Sequence, residues 1–144
     1  MTSTITDKHA DAPLPQVQRY VFVYGTLRRG EERDIKQLSP APVFISNSQI
    51  NGTLYNLGSY PGVRLGGTQW VQGEIYQITP ELERRLDEIE SVWPQQTGEY
   101  EKREVRVPCA TLMLPCLVYE ASEQTVLGKA LIDCGDWLSR DQGS

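Results

Sequence analysis

The chain has 144 residues, with 14 Lys and Arg against 19 Asp and Glu, a formal net charge of −5. That length suits one domain, and the acidic balance lacks the basic footprint that holds a phosphate backbone, so no nucleic-acid partner is expected. No window approaches the ~18 consecutive apolar residues of a transmembrane helix, so no membrane partner is expected.

Residues 1–18 read as a flexible N-terminal tail: polar, Pro-containing and without the apolar core of a secretory signal. A single domain is expected over residues 19–140. Arg19-Tyr-Val-Phe-Val-Tyr24 is a compact aromatic and β-branched run, the pattern of a buried strand. It stops at Gly25-Thr26-Leu27. The polar stretch Arg28 to Gln37 follows, and its mixed charge run Arg28 to Arg33 reads as a solvated loop. Residues 42–57 read as further strand, and Gly58-Ser-Tyr-Pro-Gly62 as a turn. Trp70 to Ile78 alternates in part and predicts another strand.

Thr79-Pro80 then opens a helix, Thr as N-cap and Pro at the first helical position. Leu82, Leu86 and Ile89 supply one apolar stripe. Ser91 to Gly98 is expected to be a loop. Tyr100 to Val107 alternates again, as does part of Ala110 to Tyr119, where Pro115 predicts a sheet edge or bulge. The end, Ala130 to Trp137, is apolar enough to pack back onto the body. The expected product is a strand-rich α+β domain with a small closed or nearly closed sheet.

His9 is the only histidine and lies in the expected tail, which argues against Ser-His-Asp or Cys-His catalysis and excludes a His-rich metal site. Cys109, Cys116 and Cys134 are odd in number and widely spaced, so neither a disulfide framework nor a zinc pattern appears. All three are expected to pack as small apolar groups in a reducing cytoplasm. Acid–base work would then fall to Glu, Asp, Tyr, Lys or Cys.

Two features point to chemistry. In Tyr24-Gly25-Thr26-Leu27 a hydrophobic strand runs straight into Gly, a junction that can aim several backbone N–H groups at one point as an anion or oxyanion cradle. The alternative is an ordinary strand-ending turn. The second feature is Glu90. At roughly 100° per residue it falls at about 80° from Leu82, on the margin of the buried face, with Glu83, Asp87 and Glu88 farther round. Partial desolvation and the negative helix end would both raise its pKa toward general-base strength; the alternative is a solvated boundary Glu. Tyr100 and Arg103, early in a strand after the loop, either line a pocket mouth or pack on the surface. Trp70, Trp93 and Trp137 are expected in the core or in cleft walls.

Taken in order, Val21-Phe-Val-Tyr-Gly-Thr-Leu-Arg-Arg-Gly30, Gly52-Thr-Leu-Tyr-Asn-Leu-Gly-Ser-Tyr-Pro-Gly62, Val71-Gln-Gly-Glu-Ile-Tyr76, Leu86-Asp-Glu-Ile-Glu90 and Tyr100-Glu-Lys-Arg103 resemble the gamma-glutamylcyclotransferase-like superfamily. The resemblance covers roughly residues 20–119. It implies a small mixed β-barrel flanked by helices and an enzyme that needs no metal and no cofactor. It implies that Tyr24, Gly25, Thr26 and Leu27 cradle a gamma-glutamyl group, that Glu90 is the catalytic carboxylate, and that Tyr100 helps line the pocket. The implied reaction releases 5-oxoproline and an amine. The short chain is more similar to the branch acting on gamma-glutamyl amines and related conjugates than to the glutathione-degrading branch. Two positions depart from the family pattern: Glu31-Glu32-Arg33-Asp34 stands where many members carry Asn or His, and Ser91 stands where Gly is common. The alternative is a non-catalytic binding protein that keeps the cavity for a small glutamyl-like ligand. An interaction module using the sheet edge near Pro115 has no positive support.

Overall fold

The computed structural model describes residues 19–90 and 97–140. The expected tail, His9, Trp93 and most of the expected 91–98 loop lie outside the described residues. Among the described residues six strands follow one another as β1 (Arg19–Val23), β2 (Val43–Asn56), β3 (Pro61–Ile78), β4 (Tyr100–Cys109), β5 (Leu112–Ala121) and β6 (Ala130–Leu131). Helix α1 (Pro80–Ile89) lies between β3 and β4, and the single-turn α2 (Glu123–Val126) between β5 and β6. Short 3₁₀ turns occupy Ile35–Gln37 and Trp137–Ser139.

The strands form one mixed sheet in the order β4-β5-β1-β3-β2-β6. The β2–β3 and β4–β5 hairpins are antiparallel, while β1 lies parallel to β5, with Val21 opposite Leu117. The sheet curls because β3 is long enough to pair twice: its C-terminal half runs beside β1, and Val63 near its start meets Glu120 of β5. The curl brings β2 against β4, where the Ser48 hydroxyl donates to the Pro108 carbonyl. The result is a half-closed barrel with helices on its outside, an α+β fold as expected.

Strand β1 is buried on both faces, and its period-2 alternation divides the core. Phe22 points inward with Ile75, Val118 and Trp137, whereas Val21 and Val23 point outward to meet Leu82 and Leu86 of α1. Trp137 is almost wholly buried, so the C-terminal segment packs back as its composition predicts. Helix α1 begins as its sequence dictates: the Thr79 hydroxyl accepts the Leu82 N–H at 3.0 Å with Pro80 in the first turn.

Several expectations need correction. Strand β3 begins at Pro61 rather than Trp70, so the turn is shorter than read. Pairing with β2 jumps from Asn51–Trp70 to Gly52–Leu65, and the excluded residues make an exposed excursion in which Gly66 and Gly67 hold positive φ. Without alternation, that segment hides its strand character. Pro115 lies in an internal strand and stays in register opposite Arg106; it is tolerated because β1 meets β5 only at Leu117, leaving the other side open. Trp70 is half exposed, not core. Only Cys116 of the three cysteines is fully buried; Cys134 is exposed and its thiol donates to the Asp136 carbonyl.

The expected solvated run from Arg28 contains a buried ion pair. Arg28 lies inside, its Nε donating to Glu74 at 3.2 Å and its Nη1 to Asp136 at 2.7 Å. Glu74 also accepts the Arg29 N–H and the Tyr76 hydroxyl, each at 2.9 Å. A charge removed from water at this depth requires such partners, and here they fix the loop after β1 against β3 and the C-terminal segment.

Candidate active site

A cavity of about 240 Å³ opens where the C-terminal end of β1 faces the end of α1. Tyr24, Gly25, Thr26, Leu27, Glu90 and Tyr100 all line it. Arg103 does not: it is exposed and paired with Glu120 at 3.1 Å and with Glu101. Tyr60, Glu99 and Tyr119 also contribute without having been singled out in the sequence, and so does Arg33, which the sequence marked only as part of a charged stretch departing from the family pattern. Sequence spacing could not have gathered the first three, because the curl of the sheet brings them together, whereas Arg33 is placed by its own loop, its N–H bonded to the Thr26 carbonyl.

Gly25 holds the turn tightly. A Cβ there would lie 2.6 Å from Cγ and 2.7 Å from Cδ of Pro61, so only glycine lets the backbone pass under that ring. Beyond it the chain folds on itself: the carbonyls of Gly25, Thr26 and Leu27 accept N–H groups from Arg28, Arg33 and Ile35 at 2.9–3.0 Å. Among the described residues, no protein acceptor meets the N–H groups of these same three residues. Buried backbone donors are nearly always satisfied, so a row of unengaged ones beside a cavity has the capacity to receive an anion or a polarised carbonyl.

The tyrosines build the walls. Tyr24 donates to the Tyr119 carbonyl at 2.7 Å and accepts the Val63 N–H at 3.2 Å. Tyr100 donates to the Pro61 carbonyl at 2.7 Å, and Tyr119 to Asp87 at 2.7 Å. Burial above all pushes all three hydroxyls well above the ordinary phenol value, with nearby carboxylates and, for Tyr100, the neighbouring Tyr24 adding to it, so they stay protonated. Each hydroxyl proton is committed to a carbonyl or carboxylate, which makes these side chains positioning walls rather than acids.

Glu90 caps the end of α1, its N–H bonded to the Leu86 carbonyl at 2.9 Å. The residue is half-buried, and among the described residues its carboxyl has no hydrogen-bond partner. Burial pushes its pKa up from 4.5 to about 7; Arg33 works against that rise and Glu99 adds to it. A carboxyl of that strength exchanges protons near neutrality. The helix is held rigidly in place. Arg19 grips Glu83 through two bonds of 2.9 and 2.8 Å, and Lys102 reaches both Glu83 at 2.6 Å and Asp87 at 2.9 Å. These acids, read as lying farther round the helix, are nearly buried against β1, β4 and β5.

Among the described residues no group of three His, Cys, Asp or Glu side chains is gathered to hold a metal ion, and no helix is long and apolar enough to cross a membrane.

Residues 21–139 match the family described as gamma-glutamyl cyclotransferase, AIG2-like. The chain belongs to the gamma-glutamylcyclotransferase family. It is similar to the gamma-glutamylcyclotransferase family protein YtfP of Escherichia coli, 33% identical over 122 residues that cover 85% of this chain and 98% of YtfP. The solution structure of that protein aligns with a TM-score of 0.59 at 30% identity, over the same shares of both chains. The gamma-L-glutamyl-butirosin B gamma-glutamyl cyclotransferase of Niallia circulans is 41% identical over 71 residues, 49% of this chain and 44% of that enzyme. An AIG2-like protein from Mus musculus shares the gamma-glutamylcyclotransferase fold, with a TM-score of 0.65 at 23% identity over 79% of this chain and 85% of the mouse chain.

Proposed function

We infer that the chain cyclises a gamma-glutamyl amine or related conjugate, releasing 5-oxoproline and the amine, with Glu90 as general base and then general acid. The observation that carries this reading is the pairing, across one small cavity, of a carboxyl poised near pH 7 with three backbone donors, none of them partnered among the described residues.

The substrate's γ-carbonyl oxygen lies against the N–H groups of Gly25, Thr26 and Leu27, and its α-amine faces Glu90. Glu90 takes a proton from that amine as its nitrogen bonds to the γ-carbon. The oxyanion so formed is held by the backbone donors, which are fixed in advance and cost no reorganisation. The γ-carbon–nitrogen bond to the leaving amine then breaks, and Glu90 returns the proton to the departing nitrogen. Atoms balance without water, metal or redox partner. Because the attack is intramolecular, a cavity that holds the bent conformer supplies much of the rate. The tyrosine walls around about 240 Å³ suit a ligand smaller than a typical drug-sized one.

The test is 5-oxoproline release from a panel of gamma-glutamyl amines, gamma-glutamyl dipeptides and glutathione. Release from at least one member supports the reading and names the leaving-group class. No release from any member, with the same compounds still protecting the fold against heat, overturns it in favour of a binding role.

A further inference from the structure

Arg33 stands at the edge of the cavity, where its charge acts on Glu90 from a distance. The backbone fixes its position: its N–H donates to the Thr26 carbonyl at 3.0 Å and that of Ile35 to Leu27 at 2.9 Å, so its loop is tied to the cradle itself. Most acids around it are committed elsewhere. The two oxygens of Asp34 accept the Gly30 and Lys36 N–H groups at 2.8 and 2.9 Å, Glu31 accepts Trp137 Nε1 at 3.1 Å, and Glu74 holds Arg28. Among the described residues the Arg33 guanidinium has neither a hydrogen bond nor an ion pair.

Its location indicates what it meets. Arg33 and Ile89 line both the cavity and a shallower concavity of about 370 Å³ outside it, whose other walls are Glu32, Asp34, Gln37 and Leu38. A group attached to a γ-glutamyl moiety in the cavity and extending into this concavity passes the guanidinium. Glu99 stands at a second opening, toward Ser122 and Thr125, but its carboxylate already accepts the Tyr60 hydroxyl at 2.6 Å. The concavity beside Arg33 holds the Glu32 and Asp34 carboxylates and, among the described residues, Arg33 as its one cation; a guanidinium recognises a carboxylate through paired charge-assisted hydrogen bonds.

We propose that Arg33 is a specificity-determining residue that binds a carboxylate carried by the leaving amine, so that the chain prefers γ-glutamyl amino acids to γ-glutamyl alkylamines. This rests on the cyclotransferase reading. Arg33 forms no covalent bond; the bonds made and broken are those of the cyclisation above, and the guanidinium orients the departing nitrogen.

The experiment compares kcat/KM for γ-glutamylalanine and γ-glutamylethylamide, which differ only by the leaving-group carboxylate, in wild type, Arg33→Gln and Arg33→Glu. A charge-assisted hydrogen bond predicts a wild-type preference of about 10- to 100-fold for γ-glutamylalanine. In Arg33→Gln the ratio falls to near one, and in Arg33→Glu it inverts. Taking the ratio cancels any change that the substitution makes at Glu90, which acts on both substrates alike. A wild-type ratio near one, or an unchanged ratio in Arg33→Gln, overturns the proposal. So does an equal loss on both substrates, which would put the guanidinium on the α-carboxylate of the glutamyl group. Failure of the cyclotransferase reading looks different: wild type releases 5-oxoproline from neither compound. Calorimetric binding of the same pair then decides, a preference lost in Arg33→Gln supporting the role of Arg33 and equal affinities overturning it.

Discussion

Replacing Glu90 by Gln is expected to stabilise the folded chain, and to do so most at higher pH. Burial moves the carboxyl from its ordinary 4.5 to about 7 in the folded protein, while the unfolded chain keeps the ordinary value. The folded state therefore holds the proton more tightly, and wild type loses stability as pH rises between those two values. Converted at ~1.36 kcal/mol per pKa unit, that difference amounts to roughly 3 kcal/mol above pH 8. The carboxyl borders an open cavity, which lets water reach part of it, so the expected effect is about 1–3 kcal/mol. Gln does not titrate, so the variant escapes this cost. Urea unfolding of both proteins at pH 5, 7 and 9 reads the effect directly. The difference should be smallest at pH 5, about a quarter to a third of its full size because the unfolded carboxyl is already largely ionised there, and complete by pH 9, on the order of 3–10 °C if followed as Tm. A difference that stays flat from pH 5 to 9 would refute the reasoning, because the carboxyl would then titrate in the fold as it does in solvent.

Other substitutions test the supports of the site. Arg28→Met should cost about 2–4 kcal/mol in urea unfolding, because Glu74 keeps only its bonds to Arg29 N–H and Tyr76 in a buried setting; a loss under about 1 kcal/mol would mean that the pair breaks even with an apolar contact. Gly25→Ala forces the turn off Pro61, at about 1–3 kcal/mol and with loss of heat protection by a γ-glutamyl ligand; full protection would show that the cradle tolerates the shift. For Glu83, burial would raise the carboxyl, but its bonds to Arg19 and Lys102 outweigh that and hold it below 4.5. Its contribution is present above pH 4.5 and fades as pH falls through the lowered value, so the advantage of wild type over Glu83→Gln should shrink below pH 4.5 in acid unfolding.

The parts of the fold legible in the sequence were those set by local rules. Tyr20 to Tyr24 has no polar residue to face solvent, so its burial on both sides follows from composition. Thr79-Pro80 fixes the start of α1, and the stripe of Leu82 and Leu86 fixes the face that it buries. That face in turn puts Glu90 at the margin of the core, where the structure has it. What stayed hidden depends on partners distant in sequence. Arg28 meets Glu74 and Asp136 across separations of 46 and 108 residues, and nothing in its own charged run marks it as buried. Glu83 and Asp87 join the buried face because Arg19, Lys102 and Tyr119 come to meet them. Likewise Tyr60, Glu99 and Tyr119 share a cavity with the loop after β1 only because the sheet curls, and strand periodicity does not report curl.

The central claim is that Glu90 carries the proton in a cyclisation, and the measurement that tests it most directly is kcat/KM for 5-oxoproline release against pH, in wild type and Glu90→Gln. The wild-type profile should rise through about pH 7 as the carboxyl ionises, whereas Glu90→Gln should show no such rise and lie about 10²- to 10⁴-fold below the wild-type plateau above pH 7. Turnover in Glu90→Gln within a few-fold of wild type, with the same rise near pH 7, would contradict it.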